Sequence, residues 1–196
     1  MKTPDDLVSV IRRAQGGEAD AFDALVDSYA SRLYGFLYRL TGCRDDAEDL
    51  VQEVFVRVVR MIGRYQHDGR FDAWIFRIAT NLARDRVRRV NRAPSASSLD
   101  AGDDPAERER VLTRPRGAAP ADRAPGDALE LAEDVDRLQQ AIATLNAAER
   151  EVIMLRHYAG MSFADIAAMM GTPLGTALAR AHRALGKLRE QMDGNP

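Results

Sequence analysis

Apolar side chains recur every three or four residues in several separate runs of the chain, the spacing of one face of an α-helix. Phe22, Leu25, Val26, Tyr29, Leu33, Phe36, Leu37 and Leu40 predict one helix, closed by Gly42. A second, from about Asp46 to Ile62, carries the pairs Leu50/Val51, Val54/Phe55 and Val58/Val59 and leaves Asp46, Glu48, Asp49, Gln52 and Glu53 on its polar side. The polar stretch GRYQHDGR then leads to FDAWIFRIATNLARDRVRR. There Phe71, Trp74, Ile75, Ile78 and Leu82 make an apolar face, with Arg77, Asn81, Arg84 and Arg88 as a stripe on its flank. Trp74 is read with the core, and His67 as an exposed loop residue.

The periodicity stops near Ala93. From there to Asp127 the chain is interrupted by Pro94, Pro105, Pro115, Pro120 and Pro125, with Gly102, Gly117 and Gly126 and few large apolar side chains. Such a segment cannot bury enough surface to offset the entropy of ordering it, and it reads as a flexible linker. Helical spacing resumes at about Ala128 with Leu131, Val135, Leu138 and Ile142. Asn146, with Glu149 three residues on, predicts a capped second helix that ends at Gly160. Ser162 caps a short third helix through Met170, Gly171 breaks it, and Thr172 with Pro173 opens the last helix, Pro173 at its first position. Helix, tight glycine turn, helix is a helix-turn-helix. The fold expected is therefore all-α: two small helical domains, 1–92 and 128–196, joined by the linker 93–127.

The last helix divides by face. Leu174, Leu178, Ala181, Leu185 and Leu188 form one stripe, expected to be its core face. Thr176, Arg180, Arg183 and Lys187 follow the same steps displaced by two residues, roughly 200° around the axis. From Pro173 to Arg189 there is no carboxylate, so these bases have no acid on their own helix to pair with. Gly175 and Ala179 are small enough for close approach to a major groove, where arginine bonds guanine bidentately. This favours a DNA recognition helix over a merely solvated charged face.

Composition narrows the function further. The 196 residues carry a formal net charge of −2, which by itself argues against a general nucleic-acid binder. That total conceals local patches of opposite sign. Asp45 to Glu53 holds five acids and no base, whereas Arg77 to Arg92 holds six arginines against Asp85 alone. A single cysteine, Cys43, excludes an internal disulfide framework and a cysteine-rich zinc site. His67, His157 and His182 are scattered, and no catalytic triad, metal-ligand spacing or phosphate-cradling glycine loop is present. No enzyme activity and no cofactor are expected. Without a signal-peptide pattern or an apolar run near eighteen residues, the chain reads as soluble and cytoplasmic, with no membrane insertion.

DAEDLVQEVFVRVVR, then FDAWIFRIATNLARDRVRR, a linker, and GMSFADIAAMMGTPLGTALARAHRALGKLR together resemble the extracytoplasmic-function class of bacterial sigma factors. The resemblance covers nearly the whole chain apart from the linker. It implies a protein that binds core RNA polymerase, brings it to promoter DNA and helps to open the duplex. Asp46, Glu48, Asp49, Gln52 and Glu53 would then dock on the polymerase. Arg64, Tyr65, Gln66 and His67, with Arg77, Asn81, Arg84 and Arg88, would receive the minus-10 element and a flipped base. Thr172, Gly175, Thr176, Ala179, Arg180, Arg183 and Lys187 would read the minus-35 element as duplex. The linker would thread into the polymerase near the RNA exit path, and an anti-sigma factor is a candidate partner. The chain departs from the family at Asp165, where Glu is frequent, and at Ala177 and Ala179, where Val and Ser are frequent. Two other readings stay open: a helix-turn-helix regulator acting without polymerase, usually a dimer on paired half-sites, and an interaction protein that only sequesters a partner.

Overall fold

The computed structural model describes residues 4–92 and 137–193. These residues form helices and turns, with no strand among them. Helix α1 spans Pro4–Gln15, α2 Ala19–Thr41, α3 Arg44–Met61 and α4 Phe71–Arg92, with a 3-10 turn at Ile62–Arg64 after α3. In the C-terminal part, α5 is described over 137–143, followed by α6 Ala147–Tyr158, α7 Phe163–Met170 and α8 Leu174–Asp193. The proline-interrupted linker expected at 93–127 and the first turns of the helix expected from Ala128 lie outside the described residues. No helix among the described residues is long and apolar enough to cross a membrane.

Helix ends follow from local chemistry. Gly42 takes φ 68° at the end of α2 and donates its N–H to the Tyr38 carbonyl, a left-handed stop that costs glycine little. The Asn146 side chain accepts from the Glu149 N–H at 2.9 Å, and the Ser162 hydroxyl accepts from the Asp165 N–H at 3.2 Å. At the turn between α7 and α8 the expectation needs correction. Thr172 donates its N–H back to the Ala167 carbonyl in a Schellman closure of α7. Pro173, rather than Thr172, therefore supplies the first acceptor of α8, to the Ala177 N–H at 3.2 Å. The Thr172 hydroxyl oxygen is buried without a hydrogen-bond partner.

In the N-terminal module α2, α3 and α4 enclose Leu33, Phe36, Leu37, Val54, Val58, Ile75 and Phe76, all buried. Phe36 meets Phe76 edge-on, with centroids 5.0 Å apart. Helix α1 closes one side with Ile11 and Ala14, and Gln15 donates to the carbonyls of Ile62 and Tyr65, which holds the start of the polar loop.

The core face of α8 keeps Ala181 of the expected stripe, and Leu188 packs against the core, but the other leucines turn outward. Ala177, Ala181 and Ala184 are buried, whereas Leu174, Leu178 and Leu185 are 48%, 45% and 57% exposed. The alanines lie between the leucines and the bases, about 90° from each. Small side chains let α8 approach α6 and α7 closely, so the leucines fall on one shoulder of the contact and the bases on the other. Beneath this contact, buried Arg150 donates to the carbonyls of Ile142, Ala143 and Leu145 and so satisfies the end of α5. Arg150→Ala is expected to destabilise the C-terminal module by about 3 kcal/mol, since it strips charge-assisted bonds from buried carbonyls, read as the loss in a urea unfolding curve.

Candidate nucleic-acid interface

The polar loop and the start of α4, closed on one side by Met161 and Asp165 of the C-terminal module, build a cleft of about 370 Å³. Tyr65 and Trp74 form its aromatic wall, their rings 4.7 Å apart, and buried Phe71 backs them from the core, 5.3 Å from Trp74. Trp74 is half-buried: it packs on this cluster and also lines the cleft, so it is not purely a core residue. Burial, reinforced by the Asp68 charge, pushes the Tyr65 hydroxyl up to about 12, so it stays a neutral phenol facing His67 Nδ1 at 3.4 Å. Arg64, Gln66, Arg70 and Arg77 ring the opening. Flat aromatic surface beside guanidinium groups is the equipment for holding an unstacked base and its phosphates.

The stripe expected on α4 is divided by the fold. Arg77 lines the cleft, and Asn81 is exposed further along the helix. Arg84 makes a bidentate pair with the Glu151 carboxylate of α6, and exposed Arg88 lies 3.3 Å from Asp85. His67 is exposed at the loop.

On α3, Glu48, Asp49, Gln52 and Glu53 are exposed, with Glu48 facing Arg44 at 3.8 Å and Glu53 facing Arg57 at 3.2 Å. Asp46 is different. Its carboxylate accepts from Arg86 Nε at 2.9 Å and from a second nitrogen of the same guanidinium, which ties α3 to α4.

On α8 the bases are also unequal. Glu149, only 2% exposed, pairs with Lys187 at 2.7 Å and with Arg183 at 3.5 Å. Burial alone would raise the Glu149 carboxyl. Hydrogen bonds and charge from Lys187, the Asn146 backbone N–H and Arg183 outweigh that and hold it below its ordinary value. Arg180 is half-buried, as is Thr176. The outward face, opposite the alanines, presents Gly175, Ala179, His182 and Gly186, with Leu178 and Arg183 on its edges. His182 and Leu178 escaped the sequence reading, because a leucine at helical spacing reads as core until the packing face is known.

Two family descriptions match these modules: Sigma-70 region 2 over residues 25–93, and Sigma-70, region 4 over residues 136–188. The chain is 38% identical over 180 residues to the RNA polymerase sigma factor CarQ of Myxococcus xanthus, covering 92% of this chain and 94% of that protein. It is 32% identical over 182 residues to the ECF RNA polymerase sigma factor SigW of Bacillus subtilis, covering 93% and 94%. The chain belongs to the extracytoplasmic-function sigma factors. As such it is a polymerase-binding, promoter-recognising protein, which displaces the reading of a regulator acting apart from polymerase. Sigma factors are not catalytic enzymes. Among solved structures, CnrH in complex with the cytosolic domain of CnrY matches with a TM-score of 0.59 at 26% identity, covering 95% of this chain and 97% of that one. The sigma factor RpoE in complex with the anti-sigma factor NepR, from Bartonella quintana, shares the fold with a TM-score of 0.62 at 24% identity, covering 89% and 98%.

In this sigma factor the buried Glu149 carboxylate anchors α8 to α6 only while ionised. Its lowered pKa means that the stabilisation is fully present above the ordinary glutamate value of about 4.3 and is lost as pH falls through the lower folded value. Glu149→Gln should therefore unfold at lower urea than the parent at pH 6, and the difference should vanish on acidification below that window.

Proposed function

We propose that the chain initiates transcription by reading a promoter in two parts, with the N-terminal cleft taking the minus-10 element and α8 the minus-35 element. The observation that carries this reading is the cleft itself: the aromatic wall of Tyr65 and Trp74 beside Arg64 and Arg77 suits one unstacked base of the non-template strand. Gln66 and His67 extend that surface on the loop, and Asn81, Arg84 and Arg88 continue it along α4. The exposed acids Glu48, Asp49 and Glu53, with Gln52, form the polymerase-docking face, while Asp46 supports it from within through Arg86.

For the minus-35 element, Gly175, Ala179, His182 and Arg183 enter the major groove. Leu178 is placed to touch a thymine methyl group. Arg180, Thr176 and Lys187 lie nearer the module and serve the phosphate backbone, with Thr172 at the helix entrance. The domain division 1–92, 93–127 and 128–196 and a cytoplasmic location belong to the same reading. CnrH and RpoE are solved with CnrY and with the anti-sigma factor NepR, so an anti-sigma partner is proposed for this chain as well.

Reconstituted transcription tests the scheme. With core polymerase and a cognate promoter, Trp74→Ala should reduce open-complex formation while leaving association with core intact. Arg183→Ala should cost roughly 1–3 kcal/mol of minus-35-dependent initiation, the range for a good base contact. Reversing Asp49 and Glu53 to lysine should weaken association with core, with an unchanged urea midpoint for the free protein. Full initiation by all three variants would refute the assignments.

A further inference from the structure

Two of the bases on α8 are tied to one acid of α6. The Glu149 carboxylate meets them with separate oxygens, Oε2 with Lys187 Nζ at 2.7 Å and Oε1 with Arg183 Nε at 3.5 Å. The acid is also fixed by its own helix. Glu149 is the third residue of α6; its N–H donates to the Asn146 side chain, and its carboxylate is supported in return by the Asn146 backbone N–H. This reciprocal cap holds both its backbone and its side chain at the start of α6. The buried carboxylate is therefore a fixed post, unlike a surface acid on a free side chain.

Arg183 meets this post from the side. Approach through Nε turns the edge formed by Nη1 and Nη2 away from Glu149, and the Arg183 side chain is 57% exposed. That edge carries the paired N–H groups that match O6 and N7 of guanine. A free arginine spreads over many rotamers, and ordering it on binding costs affinity. An arginine already steered by a fixed charge loses less. Lys187, in direct hydrogen-bond contact with the carboxylate, is held closer to the module.

The charge of Glu149 points beyond a simple fastening. A carboxylate beneath a DNA-facing helix repels phosphates and neutralises bases that would otherwise pair with them. Glutamine would fill nearly the same space and keep an acceptor oxygen without that cost. We propose that Glu149 is a positioning residue for promoter readout, aiming the outer edge of Arg183 at one base pair of the minus-35 element. This rests on the minus-35 reading of α8 and adds to it a residue that touches no DNA.

The test is selection from a fully randomised duplex library by holoenzyme, reconstituted from core polymerase and the full chain. Sequencing the bound fragments gives the base preference at every pair of the upstream element. Arg183→Ala should flatten one pair. Glu149→Gln should flatten that same pair, by roughly tenfold in the ratio of favoured to disfavoured bases, the scale of one lost base contact, and leave the other pairs unchanged. Its affinity for unselected duplex at fixed salt should stay level or rise, because an acid has gone. Asn146→Ala is the structural control. It strips the side-chain cap from α6 and lowers the urea midpoint, but it keeps the acid and should keep the preference at that pair. If the Arg183 pair stays selective in Glu149→Gln, positioning is refuted and the reading by Arg183 stands. Uniform flattening of the whole element by Glu149→Gln, matched by Asn146→Ala, assigns Glu149 to stability alone and also overturns the proposal. If Arg183→Ala flattens no pair, the minus-35 role of Arg183 falls and its positioning falls with it.

Discussion

The structure is organised around the side chain of Phe36. It is fully buried in the middle of α2, meets Phe76 edge-on within its own module, and reaches Tyr158 of the other. Helix α2 is consequently packed by α1, α3 and α4 on its own side and by α6 across the junction, and the buried apolar cluster runs from Val10 to Ala181. Non-directional burial of this kind supplies most of the favourable folding energy. The polar contacts at the junction select which arrangement the apolar surfaces adopt.

Those polar contacts share one logic. The chain is close to neutral, but its acids and bases are segregated, and the fold brings a few of them together across helices. Asp46 with Arg86 sets the angle of α3 on α4; Glu149 with Lys187 and Arg183 sets α8 on α6; Glu151 with Arg84 and Asp165 with Arg70 join the modules. The first two pairings rest on a partly or wholly buried carboxylate and are screened less by salt. The Arg70 pair is more open, with its guanidinium more than half exposed, and is the kind of contact that screening or a competing phosphate displaces. A protein whose bases serve DNA needs its acids near enough to hold them and weak enough to yield.

Much of this was legible in the residues. Helices α2, α3 and α4, the Gly42 stop, the Asn146 and Ser162 caps and the Gly171 turn are all readable, because each depends on local spacing or on a single side chain meeting its own backbone. Helix α1 went unread: its short apolar run gains meaning only when Gln15 reaches Ile62 and Tyr65, nearly fifty residues away. The core face of α8 is legible only in part: Ala181 and Leu188 lie on the expected stripe, but hydrophobicity ranks leucine above alanine, whereas close helix packing selects Ala177 and Ala184 beside Ala181. The turned face brings Leu178 and His182 outward and sets half-buried Arg180 and Lys187 nearer the module.

The sequence by itself determined the all-α class, the modules on either side of the proline-interrupted stretch and the family, since periodicity, turn chemistry and motif order are properties of neighbouring residues. Which side of a helix faces its neighbours depends on how other helices approach it. Only the tertiary structure could therefore decide that alanines rather than leucines seat α8, that Glu149 claims two of its bases, and that Trp74 is at once core and cleft wall. The same holds for the junction: Asp165 and Arg70 stand 95 residues apart in the chain, and no local pattern in either segment specifies that one will cover the other.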